Sequence, residues 1–296
     1  SSTQLEANVL RTITERSPIL ERIPFISVSA MKYSYPIEVS LPTVATRNIG
    51  GTYTANSGVI EYREEPLAIY GGEVKLDNFE VKQGGNVRDA KNRQYRMKAR
   101  AMALQFSQDF LEGDGDLNPS GVNGLRNRIT ASSQLINAGT GGATLTFDML
   151  DRLCDAVVGA PDALLMNITM RRKITALARA NTGSSLIDTQ TSALGKQVTT
   201  WNGIPILIIE RDDDASTLLE FNEDDGSSNL DTCSIYAVRW GDDYVCGLKG
   251  SGTGMEVRDF GELESAPQHM GRIEAYWGLK IGHPRSAARL YHINNA

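Results

Sequence analysis

The sequence predicts a protein of the α+β class built around one long helix. Between Tyr95 and Phe110, apolar residues and alanines recur at spacings of three, four and seven residues, with charged and polar residues between them, as in a helix that buries one stripe. From Thr146 onward, a helix, a short apolar strand and a second helix indicate an α/β or α+β core. Strand-like runs fill the C-terminal part, and Asn202-Gly203 suits the type I′ turn of a hairpin.

The long helix is predicted to begin at Asp89, whose side chain suits an N-cap, and to end before Gly113. These bounds give about 23 residues, or roughly 35 Å, and such a helix is expected to form the spine of the fold. The two later helices are expected to have Thr146 and Thr169 as N-caps. The residues expected in the core from the long helix are Tyr95, Met97, Ala99, Met102, Ala103, Phe106 and Phe110.

The composition fits a folded protein with a sizeable core. The chain has 296 residues, of which 41% are hydrophobic and 22% charged, enough for one large domain or two ordinary ones. No apolar run approaches the roughly 18 residues of a membrane-spanning helix, and the N-terminus lacks the pattern of a signal peptide. The net charge of −6, with no basic block, argues against a surface that works by neutralising phosphates.

The residues that usually carry chemistry form no recognisable constellation. No nucleophile elbow, phosphate-binding loop or dinucleotide fingerprint occurs in the sequence. The cysteines form no CxxC pair, so neither a disulfide framework nor a zinc site is expected, and a reducing compartment fits best. We therefore expect no catalytic, cofactor-binding or metal-binding residues. The scattered residues are Cys154, Cys233, Cys246, His269, His283 and His292.

The N-terminal region is predicted to be an extended arm. Between residues 18 and 47, prolines alternate with β-prone and aromatic residues, and proline cannot donate to a sheet ladder. Edge strands are the most that such a segment is expected to form. Because the arm is apolar for its exposure, it needs another surface to cover it. Its prolines are Pro18, Pro24, Pro36 and Pro42.

The next region is predicted to be a long, charged hairpin. Paired glycines between residues 46 and 85 separate two strand-like runs, VIEYREEPLAIY and EVKLDNFEVK. A two-stranded hairpin with so much charge is only marginally stable alone, so it is expected to dock on another subunit. We expect ion pairs across subunits at Arg63, Glu64 and Glu65. Each exposed pair contributes only about 0–1 kcal/mol, so these pairs would fix the register of the contact more than they would strengthen it.

Two segments and the order of the elements resemble one known family. Residues 112–125, EGDGDLNPSGVNGL, and residues 272–293, RIEAYWGLKIGHPRSAARLYHI, are similar to the major capsid proteins of tailed bacteriophages with the HK97-like fold. The resemblance covers essentially the whole chain. It implies an N-terminal arm at 1–45, an extended hairpin or E-loop at 46–84, a peripheral domain at 85–142 and 247–272, and an axial domain at 143–246 and 273–296.

The resemblance also implies a function. Proteins of this family form icosahedral shells of hexameric and pentameric capsomers, in which axial lobes meet at the capsomer centre and the hairpin and arm reach over adjacent subunits. The implied partners are further copies of the chain, portal, scaffolding and decoration proteins, and an enclosed double-stranded DNA that is bound without sequence specificity. The implied location is the virion, assembled in the host cytoplasm. The candidate inter-subunit contact residues are Pro24, Phe25, Tyr33, Tyr35, Arg63, Glu64 and Glu65.

Two alternatives belong to other functional classes. An encapsulin-like compartment that loads cargo enzymes would be favoured by an N-terminal helix that docks cargo, and the proline-rich arm does not favour it. A metal-dependent hydrolase would use Asp114 and Asp116, which with Asn118 superficially open a calcium loop. However, Pro119 replaces the glycine of the sharp turn and Leu125 replaces the bidentate glutamate. A tight turn capped by Asx side chains is the expected structure.

Two acidic runs remain as candidate ion sites. Residues 212–214 and 223–225 are acidic in sequence and could hold a divalent ion at a symmetry axis. Runs of this kind are more often solvated faces, and that is the expectation for both.

Overall fold

The computed structural model describes residues 12–13, 17–79, 87–180, 187–191, 197–209, 218–227, 230–252 and 254–295. The helices in these ranges are α1 (Pro18–Arg22), α2 (Val87–Glu112), α3 (Leu125–Arg128), α4 (Phe147–Asp155) and α5 (Ile168–Ala180), with a 3₁₀ turn at Pro284–Ser286. The strands are β1 (Phe25–Val28), β2 (Lys32–Ser40), β3 (Val59–Pro66), β4 (Ala68–Asp77), β5 (Leu135–Asn137), β6 (Ala163–Met166), β7 (Ile187–Thr191), β8 (Gln197–Trp201), β9 (Ile204–Ile208), β10 (Glu223–Asp224), β11 (Leu230–Val238), β12 (Val245–Gly250), β13 (Met255–Glu262), β14 (Gln268–Ile281) and β15 (Ala287–Asn294).

The spine helix α2 confirms the main prediction from the sequence. It is 26 residues long and ends immediately before Gly113, but it begins at Val87, two residues before the predicted cap Asp89. Six of the seven expected core residues are buried, and Met97 is the exception, with 57% of its surface exposed. Because each residue turns the helix by about 100°, Met97 lies on nearly the opposite side from Tyr95.

The spine packs on a five-stranded sheet with the order β1-β12-β14-β13, in which β4 pairs with β14. The centre of this contact is aromatic: the rings of Phe106 and Trp277 lie 5.3 Å apart and those of Tyr70 and Phe106 lie 5.9 Å apart, both edge to face. Trp277 is 4% exposed. Alternate residues of a strand share one face of the sheet, and Ile273, Ala275 and Leu279 of β14 are buried on the same face as this indole.

The sheet also holds the spine near its N-terminal end. Lys91 donates to both carboxylate oxygens of Asp259, at 2.8 and 3.0 Å. Burial raises the pKa of Asp259, but the hydrogen bonds from Lys91 and from the Gly261 N–H outweigh it, so the net pKa lies below its usual value. The pKa of Asp259 is lower in the folded state than in the unfolded state. The pair therefore contributes fully to stability at pH values above the unfolded-state pKa, and this contribution is lost as the pH falls through the folded-state pKa.

We expect Asp259→Asn to lower the free energy of unfolding by about 0.5–1 kcal/mol at neutral pH, because the carboxylate is half exposed and its ion pair is screened. The difference from the unmodified protein should disappear as the pH falls through the folded-state pKa of Asp259, below which the carboxylate is protonated in both states. Thermal unfolding followed at several pH values measures it. A difference that stays constant across the pH series would contradict the assignment.

The second sheet has eight strands in the order β5-β15-β11-β6-β9-β8-β7, with β10 paired to β11. One face meets the core under the spine, and the other is covered by α4 and α5. Asn202 (φ 48°) and Gly203 (φ 81°) form the predicted turn between β8 and β9. Thr146 caps α4 as expected. The prediction that Thr169 is the N-cap of α5 is wrong. The helix begins at Ile168, and its N-cap is Asn167, whose side chain accepts a hydrogen bond from the Met170 N–H at 2.8 Å.

Sheet membership differs from the predicted domain division at two places. Strand β5, at residues 135–137, pairs with β15 in the eight-stranded sheet, although it was assigned to the peripheral segment 85–142. Strand β14 remains in the five-stranded sheet as far as Ile281, although the axial segment was predicted to resume at residue 273. The long β14 crosses the predicted boundary because one strand pairs with β4, β13 and β12 along its length.

The predicted strand pairing of the hairpin is wrong. Strand β3 pairs with β2, from Lys32↔Pro66 to Ser40↔Val59, while β4 pairs with β14. Gly71 and Gly72, read as a turn signal, lie inside β4. A side chain at Gly71 would place its Cβ only 2.6 Å from the carbonyl oxygen of Ile273. These glycines therefore allow close packing and do not reverse the chain.

The N-terminal arm is also more compact than predicted. Ser17 caps α1, Pro18 occupies its first turn, and the Ser17 hydroxyl lies 2.7 Å from that of Ser107 on the spine. Strand β1 then pairs in parallel with β12. Residues 17–28 thus pack on their own subunit, because a proline in the first turn of a helix is favourable and does not force an extended chain. Their core residues are Ile19, Leu20, Ile23 and Val28.

Candidate assembly surface

The hairpin β2-β3 carries an apolar surface that the described part of the chain leaves uncovered. We call residues 32–66 the hairpin and residues 39–62 its tip. Between residues 41 and 58 the sequence contains one charged residue, Arg47. A concentration of exposed large apolar side chains of this kind usually marks an interaction site. The exposed side chains, each between 55% and 107% exposed, are Val39, Leu41, Val44, Ile49, Tyr53, Val59, Ile60 and Tyr62.

The tip has local order of its own. The guanidinium of Arg47 donates to the carbonyl oxygen of Gly51 at 3.3 Å and lies 5.3 Å from the ring centre of Tyr53. The Asn56 amide donates to the Thr43 hydroxyl across the two sides of the tip. These contacts shape the connection between β2 and β3, so the exposed apolar residues belong to a structured projection.

The root of the hairpin is fixed by a buried ion pair. Arg128 donates to Glu65 through two parallel bonds, from Nη1 to Oε1 at 2.5 Å and from Nη2 to Oε2 at 2.6 Å. The two side chains are only 12% and 10% exposed. The Tyr35 hydroxyl lies 3.2 Å from Glu65 Oε1 and 3.2 Å from the Ile281 carbonyl oxygen, so it donates to one or the other. A bidentate pair of this kind fixes direction as well as distance.

Lys280 holds the other strand of the hairpin. Its ammonium nitrogen lies 5.0 Å from the Tyr35 ring centre and 5.6 Å from that of Tyr33, and the two rings stack at 5.9 Å. The same nitrogen donates to the carbonyl oxygen of Asp242 at 2.7 Å. Burial raises the pKa of Tyr35 to about 12, with a further contribution from Glu65, so its hydroxyl keeps its proton at neutral pH.

The loop after the spine helix forms the socket for Arg128. The Arg128 Nε–H donates to the carbonyl oxygen of Asn123 at 2.6 Å, and the Asn123 side chain accepts from the Gly115 N–H at 2.6 Å. The Asp114 carboxylate accepts from the Asp116 and Leu117 amides at 2.9 and 3.3 Å. The predicted Asx-capped turn is confirmed, and the segment 112–125 acquires a structural role.

The seven predicted contact residues fall into two groups. Arg63 and Glu64 are exposed on β3, where Glu64 lies 3.4 Å from Lys32. The remaining residues pack at least partly on their own chain: Pro24 accepts a backbone bond from Gly247, Phe25 lies 6.4 Å from Phe106, and Tyr33, Tyr35 and Glu65 form the root of the hairpin. Inter-subunit contact by any of the seven stays a prediction.

The hairpin carries charges of both signs, and the spine helix carries exposed basic residues. Glu61 and Glu64 are exposed along β3, where Arg63 lies 3.8 Å from Glu61 and Lys32 lies 3.4 Å from Glu64. The spine helix α2 carries exposed Arg93, Arg96 and Lys98. Met97 lies among these basic residues with 57% of its surface exposed. The chain therefore offers a hairpin of mixed charge with an apolar tip, and a basic helix face with one exposed apolar residue.

The acidic run 223–225 is not the solvated face that the sequence suggested. Glu223 is 4% and Asp225 1% exposed. The Glu223 carboxylate accepts from Arg289 at 2.8 Å and from the Ser234 hydroxyl at 2.5 Å. Since β10 pairs with β11, this run lies at the edge of the sheet and is covered by its neighbours. The run at 212–214 lies outside the described residues.

The segment HPRS near the C-terminus secures the end of helix α4. Arg285 donates to the carbonyl oxygens of Ala156 and Asp155 at 3.3 and 3.4 Å. Arg239 donates to the Val158 carbonyl oxygen at 2.5 Å. Two guanidinium groups thus satisfy carbonyls at a helix C-terminus, where positive charge is favourable.

The described residues offer little for catalysis. Burial raises the pKa of the Cys154 and Cys233 thiols to about 12 and that of Cys246 to about 11, so these thiols are protonated at neutral pH. Among the described residues, no three histidine, cysteine, aspartate or glutamate side chains are grouped to hold a metal ion. Within the same ranges no helix has the length and apolarity needed to span a membrane.

Solved structures provide the comparison. No family model matches the sequence, and no curated protein is significantly similar to it. The chain is similar to the holo-SrpI encapsulin complex of Synechococcus elongatus PCC 7942, with 19% identity, a TM-score of 0.70, and coverage of 97% of this chain and 90% of that one. It is similar to the capsid of a native GTA particle, with 13% identity, a TM-score of 0.64, and coverage of 95% and 90%.

A third similar structure comes from Microbacterium phage Oxtober96, with 12% identity, a TM-score of 0.65, and coverage of 94% of this chain and 90% of that one. All three matches span nearly the full length of both chains, so the likeness extends to the order of elements and to both sheets. The chain therefore has the HK97-like capsid fold.

Proposed function

We propose that this chain is the repeating subunit of a closed, self-assembling protein shell, and that the shell is the head of a tailed phage enclosing double-stranded DNA. The observation that carries the proposal is the projecting hairpin, with eight exposed large apolar side chains on its tip. A subunit that leaves such a surface uncovered gains stability when another molecule covers it.

A second copy of the chain is the partner that the surface favours. Each large apolar side chain that becomes buried contributes about 1.5–3 kcal/mol. In a closed symmetric assembly every subunit both gives a hairpin and receives one, so each contact is repeated throughout the shell. Modest contacts therefore add up to a stable particle without a covalent link.

The charges suggest where the hairpin docks. Glu61 and Glu64 of one subunit would exchange their neighbours Arg63 and Lys32 for the basic residues on the spine helix of the next subunit, where Met97 offers an apolar contact. Charge complementarity of this kind guides association and fixes register. In this arrangement the five-stranded sheet with α2 serves as the peripheral domain and the eight-stranded sheet as the axial domain, whose lobes meet at the centres of hexamers and pentamers.

We expect the double substitution Glu61→Lys and Glu64→Lys to raise the protein concentration needed for assembly about tenfold, because like charges would then face each other. Adding Arg93→Glu and Arg96→Glu to the same chain should restore assembly. Light scattering during assembly measures the threshold. The control is Glu262→Lys with Glu264→Lys, which changes the net charge equally at exposed positions outside the hairpin. Equal effects of the two pairs would remove the proposed docking site.

An encapsulin-like compartment is the second candidate, and the N-terminal region favours it. Residues 17–28 pack on their own subunit and do not extend as an arm, and the encapsulin structure is one of the similar ones. Both candidates are structural and non-enzymatic, and both use the same hairpin. They differ in what the shell encloses.

Electron microscopy of the purified chain and analysis of the particle contents test the proposal. We expect closed shells, and particles from the natural source should contain double-stranded DNA protected from nuclease. Particles filled with a protein cargo would support the compartment instead. A chain that stays monomeric at every concentration and salt, with no shell in the source material, would contradict both.

A further inference from the structure

The hairpin is joined to the rest of the subunit by two short connections. Residues 29–31 link β1 to β2, and Leu67 alone separates β3 from β4. At this junction the Leu67 N–H donates to the Met31 carbonyl oxygen at 3.3 Å. Two such connections leave a two-stranded ribbon free to swing unless side chains brace it, because each connecting residue adds two soft dihedral angles.

Glu65 lies at this junction, one residue before the end of β3. Its carboxylate is held by Arg128, which at the same time donates to Asn123 in the loop after the spine at 2.6 Å and contacts the Leu279 carbonyl oxygen in β14 at 3.4 Å. One guanidinium therefore connects the hairpin, the loop and the central strand of the five-stranded sheet. Its planar group of donors fixes the relative orientation of these three parts.

We propose that Arg128, which lies on α3 and contacts the loop 113–124, is a positioning residue that sets the direction of the hairpin relative to the spine helix. The loop contributes to this role because Asp114, Gly115 and Asn123 shape the turn that presents Arg128 to Glu65. That this direction matters for assembly rests on the proposed function. The direction itself is a property of the single subunit.

Small changes at the root are amplified at the end of the hairpin. Strand β3 has eight residues, which corresponds to about 26 Å at roughly 3.3 Å per residue. A swing of about 10° at Glu65 therefore displaces the far end of the paired strands by roughly 4 Å, which exceeds the rise of one residue. A hairpin without its brace would meet the neighbouring subunit in several registers.

Spin-label distances on the full chain test the positioning role. Labels at Tyr53→Cys on the tip and Gln105→Cys on the spine, in a Cys154→Ser background, report the direction of the hairpin. We expect one narrow distance distribution in the otherwise unmodified chain and a distribution at least twice as broad with Arg128→Met. Arg126→Met is the matched control, because Arg126 also lies on α3 but pairs with Glu112. The Arg126→Met variant should keep the narrow distance distribution of the otherwise unmodified chain.

A conservative variant covers the case in which Arg128→Met does not fold. Glu65→Gln keeps the shape of the side chain and one hydrogen bond, and we expect an intermediate width with the fold intact. If the folded Glu65→Gln and Arg128→Met chains both keep the narrow distribution, the positioning role is wrong.

The positioning role and the proposed function fail in different ways. If the unmodified chain shows a narrow distribution that Arg128→Met broadens, but never forms shells, the positioning role stands and the proposed function fails. If shells form normally from chains with Arg128→Met and the distance distribution is unchanged, the positioning role fails and the proposed function stands. Irregular or mixed shells from Arg128→Met, with regular shells from Arg126→Met, support both.

Discussion

Replacing Ile49, Tyr53 and Ile60 together by serine should prevent shell formation while leaving the subunit folded. These side chains are 107%, 66% and 59% exposed in the single chain, so their loss removes little from its own core. If each is covered in the assembly, about 1.5–3 kcal/mol per residue is lost at every hairpin contact. Since about 1.4 kcal/mol corresponds to a factor of ten in affinity, the threshold for assembly should rise more than a hundredfold.

Sedimentation velocity across a concentration series measures this loss, and circular dichroism checks the fold. The control is Leu117→Ser with Leu230→Ser, two residues that are 86% and 68% exposed and lie outside the hairpin. This pair should assemble at the threshold of the unmodified chain. Normal shells from the triple variant would show that the tip is not the docking surface.

Trp277→Ala should produce the largest loss of stability, about 3–5 kcal/mol in the free energy of unfolding. The indole is 4% exposed and lies between Tyr70, at 5.6 Å between ring centres, and Phe106, at 5.3 Å. Its removal leaves a cavity where the spine helix meets the five-stranded sheet, and such a cavity cannot collapse without moving the helix.

Denaturant titration of the single subunit gives the free energy directly. Tyr276→Ala is the matched control, because Tyr276 is the neighbouring aromatic residue on the opposite face of the same strand, and it should cost about 1 kcal/mol or less. Trp277→Phe should recover part of the loss because it refills much of the space. A loss for Trp277→Ala no larger than that for Tyr276→Ala would contradict the central position of this ring.

Local patterns predicted the elements well. The spacing of Tyr95, Ala99 and Phe106 defined the buried side of the spine, and Asn202-Gly203 defined a turn, because both signals depend on a few neighbouring residues. The prediction for Met97 was wrong because it followed the residue type and not the angle on the helix. The cap of α5 was misplaced by two residues, since Asn167 and Thr169 both suit an N-cap.

Long-range pairings were not available from the same patterns. Gly71 and Gly72 resembled a turn because paired glycines usually do, but their need for space against β14 depends on a strand some two hundred residues away in sequence. The buried state of Glu223 depends on Arg289 in the same way. Local propensity describes a segment, while pairing depends on the whole fold.

An exposed hairpin was predicted, but its strands and its root were not; its role in assembly stays a prediction. An apolar, charged projection was expected, and the structure has one at residues 32–66. The bracing pair was missed because Glu65 was expected to pair across subunits and Arg128 carries no local signal. Sixty-three positions separate the two residues in the chain. The local sequence offers two weak signals for this pair. One is a carboxylate near the end of a strand-like run, and the other is a later segment rich in Asx and glycine residues.

The turn at Asn202 and Gly203 has a practical consequence. Both residues are exposed, and a side-chain carbon built at Gly203 would meet no atom within 4 Å. Exposed loop tips of this kind tolerate insertions well. A foreign peptide grafted between these two residues would be carried once by every subunit, so a particle made of this chain would contain as many copies of it as the particle has subunits.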